Sequence, residues 1–352
     1  MASTLCQTLN IDWPLIQAPM AGVSTPQLAA AVSNAGALGS ISVGAATPEQ
    51  AAEMIAKTQL LTRKPFNVNV FCHAPAVRNA GTEAAWIARF SGLFAQYGAE
   101  LPRQLTEIYQ TFLHNAAMLE VLEQARPAVV SFHFGLPDAA VIERLKVRDI
   151  VTLASATSPQ EAAEIERRGI DVVVAQGYEA GGHRGQFDPE EVDQQLSTFA
   201  LVQAIRQQSR IPIVAAGGVM DGRGMAAMLK LGAGAVQLGT AFILCPESAA
   251  GAAYRTALKQ ADRSGTEMTA AISGRQARCL RNAFCAFSQG IRAEEIPSYP
   301  LTYSLGKALA AAAELQGEPG FGAQWAGQGA ALARELPAAE LVATLINEWQ
   351  SA

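Results

Sequence analysis

The sequence predicts an α/β protein in which eight parallel strands, each followed by a helix, form a barrel that carries a smaller, mainly helical cap. Half of the 352 residues (50%) are apolar and only 16% are charged, so the chain must bury a large interior. Short apolar runs alternate along the chain with Ala-rich segments of helical period. These runs lack the polar alternation of a half-exposed strand, which indicates a parallel sheet covered on both faces.

The predicted strands occupy residues 15–20, 38–43, 66–71, 129–134, 150–155, 171–175, 211–215 and 235–240. Helices between them begin with a hydroxyl residue followed by proline, as at Thr47-Pro48 and Ser158-Pro159, a pattern typical of helix N-termini. The strands lie between about residues 14 and 244, which approaches the ~250 residues of a TIM (β/α)8 barrel. The sequence therefore favours this fold.

A doubly wound sheet that binds a dinucleotide is the alternative fold. Residues 222–227 read Gly-Arg-Gly-Met-Ala-Ala and fit the G-x-G-x-x-A pattern of dinucleotide-binding turns. That pattern normally follows the first strand of its sheet, whereas here one predicted strand remains downstream. The barrel is the better interpretation.

Two segments break the alternation of strands and helices, residues 73–126 and 247–352. A long insertion after a barrel strand lies at the carboxyl end of the barrel, where active sites are built. We expect residues 1–72 and 127–246 to form the barrel, and residues 73–126 and about 247–335 to form the cap. We expect residues from about 336 to 352 to form a C-terminal helix that packs on the barrel.

Composition limits the partners that the chain can have. The formal net charge is −5 and there is no long Lys/Arg run, so nucleic acid is not an expected partner. An apolar run long enough to span a membrane is absent, and the first residues do not resemble a secretory signal. The five cysteines are scattered and predict reduced thiols rather than a metal site. We expect a cytoplasmic monomer or homodimer without metal.

Glycine-rich turns follow the last three predicted strands. They are residues 176–185, 216–219 and 237–240. Backbone amides in such turns, together with the helix N-terminus near Asp221 and Gly224, can bind an anion. Because the phosphate site of many TIM barrels lies after strands seven and eight, we predict a phosphate-bearing ligand.

Five motifs together resemble the nitronate monooxygenases, formerly called 2-nitropropane dioxygenases. They are residues 17–22 (QAPMAG), 67–70 (NVNV), 176–183 (QGYEAGGH), 216–218 (AGG) and 237–240 (QLGT). The resemblance runs from about residue 12 to about residue 310. It implies a TIM barrel with bound FMN. It also implies FMN contacts from Met20, Asn69, Gln176, Gly181, Gly217, Gly218, Gln237, Leu238, Gly239 and Thr240, with the glycine turns at the phosphate.

His133 is the candidate catalytic residue. It interrupts an apolar run at the end of the fourth predicted strand. A lone histidine in such a run is ordinarily structural, but active-site residues gather at strand ends, and the family has its catalytic histidine in this strand. His183 is expected to contact the flavin or to shape its loop, and His73 and His114 are expected to be structural.

The cap supplies a second group of candidates. Tyr299, Tyr303 and Lys307 are spaced by four residues, which places them on one face of a helix. With Tyr109 they resemble a signature of the bacterial class I subgroup, which implies that they bind an anionic substrate. The spacing of Arg275, Arg278 and Arg281 predicts a helix face with a structural role, or secondarily a phosphate contact.

The resemblance implies oxidation of alkyl nitronates, such as propionate 3-nitronate, by O2 to a carbonyl compound and nitrite, a detoxification reaction. An NADH-dependent flavin reductase acting on a quinone or an enoyl-ACP is the nearest alternative, because it shares the FMN loops. A phosphate-binding isomerase or aldolase without flavin is a third hypothesis. Schiff-base chemistry would favour a lysine at a strand end, and no predicted strand ends in one.

Overall fold

A parallel sheet organises the computed structural model, which describes residues 4–352. Within those residues the sheet has eight strands, each paired in parallel with its neighbour, and the eighth pairs with the first. The strands are Leu15–Gln17, Gly39–Ser42, Phe66–Phe71, Val129–His133, Val151–Ala156, Val172–Gln176, Ile213–Ala216 and Ala235–Leu238. We number them one to eight. The fold is a TIM barrel, as predicted.

The seam between the first and second strands is the weakest part of the barrel. Within residues 4–352, a single bridge between Ile16 and Leu38 joins these strands. The buried side chain of Gln17 extends the contact, because its Oε1 accepts a hydrogen bond from the Ser40 amide at 2.8 Å. A side chain thus replaces a missing backbone pair and closes the barrel.

The outer ring consists of helices that follow the strands. Their N-termini are capped as the sequence predicts; the Thr47 hydroxyl, for example, accepts from the Gln50 amide in a capping box. The helices are Pro26–Asn34, Pro48–Leu61, Ala116–Ala125, Ala139–Lys146, Pro159–Arg167, Thr198–Gln208 and Gly222–Lys230. The C-terminal helix Ala338–Gln350 also packs on the barrel, where Leu341 and Leu345 contact the core around Leu28 and Val236.

One helix of the ring lies inside the segment that we assigned to the cap. Helix Ala116–Ala125 buries Met118 and Leu122 in the same core as Val68 and Val130 of the barrel. The insertion that leaves the barrel therefore ends before this helix, and the boundary at residue 127 is about ten residues too late. Apolar spacing predicts the helix but does not tell which core the helix covers.

A short helix, Thr4–Leu9, precedes the first strand. Its buried residues Leu5 and Leu9 pack with Val129 and Val214 at the amino-terminal end of the barrel interior. It closes the end of the barrel opposite to the predicted site.

The remaining elements lie above the carboxyl ends of the strands, and we call them the cap. Its helices are Ala80–Arg89, Ser91–Gln96, Ala252–Lys259, Ala261–Ser264, Ala283–Phe287 and Leu301–Leu315, with 3-10 turns at Phe112–His114, Thr240–Phe242, Ala293–Glu295 and Ala330–Leu332. Trp86 and Phe90 of the insertion share one apolar core with Phe284 and Leu305 of the later segment. The two segments therefore fold onto each other.

The cap also contains an antiparallel sheet that the sequence did not predict. Its strands are Gly182–His183, Ala277–Leu280 and Thr266–Thr269. The predicted helix face of Arg275, Arg278 and Arg281 is therefore wrong. Gly274, at φ +91°, is incompatible with a helix, and the segment after it pairs with a strand on each side.

In the described residues 4–352, none of the helices has both the length and the apolar character that are needed to cross a bilayer.

Candidate active site

A cavity of about 870 Å³ lies between the carboxyl ends of the barrel strands and the cap. The predicted site residues that line it are His133, Met20, Asn69, Gln176, Gly181, Gly217, Gly218, Gln237, Gly239, Thr240, Tyr109, Tyr299, Tyr303 and Lys307. They come from distant parts of the chain, and the barrel topology brings them to one end.

Leu238 is the exception among the predicted cofactor contacts. Its side chain is buried in the core between the barrel and the C-terminal helix, and its carbonyl oxygen accepts from the Ala18 amide at 2.9 Å. Successive side chains of a strand point to opposite faces, so Leu238 faces away from its neighbour Gln237, which lines the cavity.

The glycine turns form a cradle of backbone amides, which we define as residues 217–218 and 239–240. The amides of Gly218, Gly239 and Thr240 donate to no other group within residues 4–352. Gly217 and Gly218 have φ values of +122° and +73°, which favour glycine. Unpaired amides at such turns suit an anion.

The helix N-terminus at Asp221 and Gly224 does not belong to this cradle, contrary to our prediction. The Gly222 amide donates to the Glu348 carboxylate at 2.9 Å, and the Gly224 amide donates to Asp221 at 2.8 Å. A Cβ on Gly222 would lie 2.2 Å from the Trp349 amide nitrogen. Gly222 of the dinucleotide-like motif therefore serves close packing against the C-terminal helix, whereas a Cβ on Gly224 would meet Val219 and Asp221 of its own turn.

His133 lies at the end of the fourth strand, in the cavity wall. Its Nδ1 is 2.9 Å from the Ser155 hydroxyl, and its Nε2 is 3.3 Å from the His183 carbonyl oxygen. A carbonyl oxygen only accepts, so Nε2 carries the proton and Nδ1 accepts from Ser155. Burial, followed by the positive charge of Arg275, lowers the pKa of His133 to about 4. The imidazole is therefore neutral at neutral pH.

Two amide side chains fix the floor of the cavity. Asn69 donates from Nδ2 to the Ser131 hydroxyl at 3.0 Å. Gln176 donates to the His183 carbonyl at 3.0 Å and accepts from the Gly185 amide at 2.7 Å. Gln176 thus ties the sixth strand to its glycine-rich loop and holds the carbonyl that His133 contacts.

Lys307 and three tyrosines line the cavity from the segments that follow or interrupt the barrel. Lys307 Nζ lies 5.2 Å from the ring centroid of Tyr109 and 5.3 Å from that of Tyr303. Among residues 4–352 no carboxylate lies within 4.0 Å of this ammonium group. Burial raises the pKa of Tyr109 to about 12 and raises that of Tyr299 as well, so both phenols are protonated. Tyr299 precedes helix Leu301–Leu315 rather than lying within it.

Several cavity residues were not predicted from the sequence. Tyr254 and Trp325 line the cavity, and the Tyr254 hydroxyl donates to the Trp325 carbonyl. The Trp325 ring lies 4.9 Å from that of His183. Tyr254 lies on a short cap helix and Trp325 in an irregular segment, where spacing carries no signal. Ser155 also lines the cavity, but its place at the end of an ordinary apolar strand gave no reason to predict that it contacts His133.

Comparison with known proteins shows the family to which the chain belongs. The family description "Nitronate monooxygenase" matches residues 2–348. The chain belongs to the nitronate monooxygenase family. Its members include the nitronate monooxygenase of Paraburkholderia phytofirmans, which is 55% identical over 98% of this chain and 94% of its own. That of Pseudomonas aeruginosa is 52% identical over 99% of both chains. The resemblance seen in the motifs is thus confirmed, and the protein is an oxidoreductase.

Solved structures agree with this nitronate monooxygenase assignment. A nitroalkane oxidase from Streptomyces ansochromogenes has a TM-score of 0.91 and 39% identity, and the alignment covers 99% of this chain and 98% of that one. FabK from Thermotoga maritima has a TM-score of 0.75 and 30% identity, with 100% and 97% covered. The scaffold is therefore shared beyond the nitronate monooxygenase family.

Proposed function

We propose that this enzyme uses FMN to oxidise alkyl nitronates, such as propionate 3-nitronate, with O2 to a carbonyl compound and nitrite, a detoxification. The observation that carries the proposal is the pairing of two features in one cavity. The unpaired amides of Gly218, Gly239 and Thr240 can hold a phosphate, and Lys307, which contacts no carboxylate in residues 4–352, lines the same cavity. A phosphorylated cofactor and an anionic substrate can therefore bind side by side.

The lining residues fit FMN in kind as well as in position. Neutral amides at Asn69 and Gln176 suit the polar edge of an isoalloxazine, and Met20 supplies an apolar surface. A Cβ on Gly181 would lie 2.5 Å from the Gly327 amide nitrogen, so glycine keeps the cavity roof close to the loop. When bound, FMN supplies the redox chemistry, and the protein supplies orientation and electrostatics.

His133 is better suited to binding a nitronate than to forming one. A general base works best when its pKa lies near the operating pH, and that of His133 is lowered to about 4. The Nε2–H makes only a long contact of 3.3 Å to the His183 carbonyl, and in the proposed complex it would share its proton with, or transfer its hydrogen bond to, an oxygen of the nitronate. Lys307 and the phenols of Tyr299 and Tyr303 would hold the other end of the anion. The proposed substrate is therefore the preformed nitronate rather than the neutral nitroalkane.

The visible spectrum of the purified protein tests the cofactor. We expect a yellow protein that releases FMN on denaturation, and a colourless preparation that takes up no FMN would refute the proposal. Anaerobic mixing then distinguishes the two reactions. Propionate 3-nitronate should reduce the flavin quickly and NADH slowly, whereas rapid reduction by NADH alone would favour the flavin reductase.

The variant His133→Asn separates binding from proton abstraction. We expect kcat/KM for the nitronate to fall by up to about 10²-fold, the upper end for loss of a hydrogen bond to a charged group. Activity with neutral nitroalkanes should be low in both proteins. Unchanged turnover of the nitronate would remove His133 from the mechanism.

A further inference from the structure

Arg275 is a buried cation without an acidic partner. Arg275 lies two residues before the cap strand Ala277–Leu280, and only 5% of its surface is exposed. One terminal nitrogen donates to the main-chain carbonyls of Gln186 and Phe187. The Nε atom has no hydrogen-bond partner in residues 4–352, and no carboxylate there lies within 4.0 Å of the guanidinium.

A second buried arginine shows the usual arrangement. Arg184 is 2% exposed, and its guanidinium makes two hydrogen bonds to the Asp193 carboxylate, at 2.8 and 3.0 Å. A buried charge left without a partner is strongly destabilising, and buried charges in proteins are therefore usually paired. An arginine that only fastened a loop would gain from such a partner. Within residues 4–352, no carboxylate in contact with Arg275 neutralises its charge; Glu161 and Asp188 act on it only from farther away. Part of its positive field therefore remains available to the surroundings.

One aromatic ring separates this charge from the cavity. The guanidinium carbon of Arg275 lies 4.5 Å from the ring centroid of Phe134, which lines the cavity. The same ring lies 4.4 Å from that of His133, 5.6 Å from that of His183 and 5.4 Å from that of Tyr299. Apolar material screens a charge far less than water does.

We propose that Arg275 is a positioning residue that supplies the cavity with a permanent positive potential from behind Phe134, and thereby favours an anionic substrate. The inference deepens the proposed function, on which its choice of substrate rests. It divides the work between two cations. Lys307 can contact the anion directly, whereas Arg275 acts on it through the ring.

The histidines respond to the same charge. After burial, the charge of Arg275 is the largest contribution that lowers the pKa of His133, and it also lowers those of His73 and His183. Burial lowers the pKa of Arg275 itself to about 10, so it stays charged at neutral pH. The ionisable groups that act on this cluster are His73, His133, His183, Tyr299, Glu161, Asp188 and Arg184.

The test compares Arg275→Gln with Arg275→Lys in the purified holoenzyme. Glutamine retains a donor for the carbonyls of residues 186–187 but loses the charge, and lysine retains the charge but loses the guanidinium geometry. Nitrogen-15 histidine NMR reads the titration of His133, whose signal is identified by its loss in His133→Asn. In R275Q we expect His133 to titrate on the order of one pH unit higher than in the wild type. We expect KM for propionate 3-nitronate to rise about tenfold, which corresponds to 1.4 kcal/mol.

Arg278→Gln is the matched control, because Arg278 is also buried on this segment and donates to the Tyr178 carbonyl at 2.9 Å. It should lower stability without moving the His133 titration.

If R275Q leaves that titration unchanged, Arg275 only fastens the loop and the proposal is wrong. If R275Q does not fold, the R275K variant distinguishes the two roles. A KM near that of the wild type would support a role for the positive charge. A tenfold rise in KM would show that Arg275 acts only by fastening the loop, and the proposal would be wrong. Because NMR needs no turnover, the titration can hold even if the proposed substrate is wrong.

Discussion

The geometry of the cradle requires a glycine at position 217. Its φ of +122° is unfavourable for other residues, and a Cβ would lie 2.8 Å from the Thr198 hydroxyl oxygen and 3.1 Å from the Ala180 amide nitrogen. The Thr198 hydroxyl is itself held by the Gly217 carbonyl at 3.0 Å. A larger residue must therefore move the turn that carries the Gly218 amide.

We predict that Gly217→Ala weakens FMN binding at least tenfold and lowers the free energy of unfolding by about 1–3 kcal/mol, the range for forced backbone strain. Fluorescence titration with FMN and urea unfolding measure the two effects. Gly92→Ala is the control, because Gly92 is helical and a Cβ there meets nothing within 4 Å. It should stabilise the protein by about 0.5–1 kcal/mol. Equal FMN affinity in G217A and wild type would contradict the role of the turn.

For individual residues, the sequence predicts which side chains belong to the site better than it predicts what those side chains contact. The spacing of four predicts that Tyr303 and Lys307 share a face of one helix, and the structure has both in helix Leu301–Leu315. Their selection as site candidates depended on the resemblance, because spacing alone indicates an ordinary amphipathic face. The resemblance includes Leu238 among the FMN contacts, but the Leu238 side chain lies in the core on the opposite face of the strand from Gln237. Trp325 could not be predicted, since its position depends on the cap closing over His183, nearly 150 residues earlier.

Glu348 links the C-terminal helix to the cradle. Its carboxylate accepts from the Gly222 amide at 2.9 Å and from Arg334 at 2.6 Å, and Arg334 donates to the Met220 carbonyl at 3.1 Å. These contacts fix both ends of the turn that follows Gly218. A helix at the far end of the sequence therefore supports the proposed phosphate site.

We predict that Glu348→Ala lowers the free energy of unfolding by about 1–3 kcal/mol, the cost of leaving a buried donor and a charge without their partner. It should also raise the dissociation constant for FMN several-fold. Glu340→Ala is the control on the same helix, since Glu340 is exposed. If E348A and E340A bind FMN with the same affinity, the C-terminal helix does not support the cradle and the prediction is wrong.

The elements of the barrel could be predicted because each depends on local information. Apolar runs of about five residues and hydroxyl-proline helix starts mark the strands and helices before any tertiary contact. The cap sheet depends instead on Gly182–His183 meeting Ala277–Leu280 across the chain. A two-residue strand has no periodicity, so the arginine spacing was misinterpreted as helical.

Three neutral histidines make the stability of the whole molecule depend on pH. Burial is the main cause that lowers the pKa of His73 and His133 to about 4 and that of His183 to about 3. In the unfolded chain these groups return to about 6.5. Between pH 6.5 and 4 the unfolded state therefore binds more protons, so acid favours unfolding. Glu161, whose pKa is raised by burial, acts in the opposite sense.

We predict that the free energy of unfolding falls by on the order of 2 kcal/mol per histidine between pH 7 and pH 5. Urea unfolding at the two pH values measures the fall. The variant His73→Leu tests whether the histidines cause this fall. His73 is buried but does not line the cavity, and neither of its ring nitrogens makes a hydrogen bond of normal geometry in residues 4–352. The fall in this variant should be about one third smaller. An identical fall in both proteins would assign the acid sensitivity to other groups.

The dependence of the cradle on Glu348 has a consequence for the order of events during synthesis. All barrel strands have been translated once Leu238 is made, but Trp325 and Glu348 follow much later. If the proposed FMN binds at the cradle, a ribosome-bound chain can pair its strands long before the contacts that support the flavin site exist. Under the proposed function, FMN loading is expected to follow translation of the C-terminal helix, and a product that lacks this helix should bind FMN weakly.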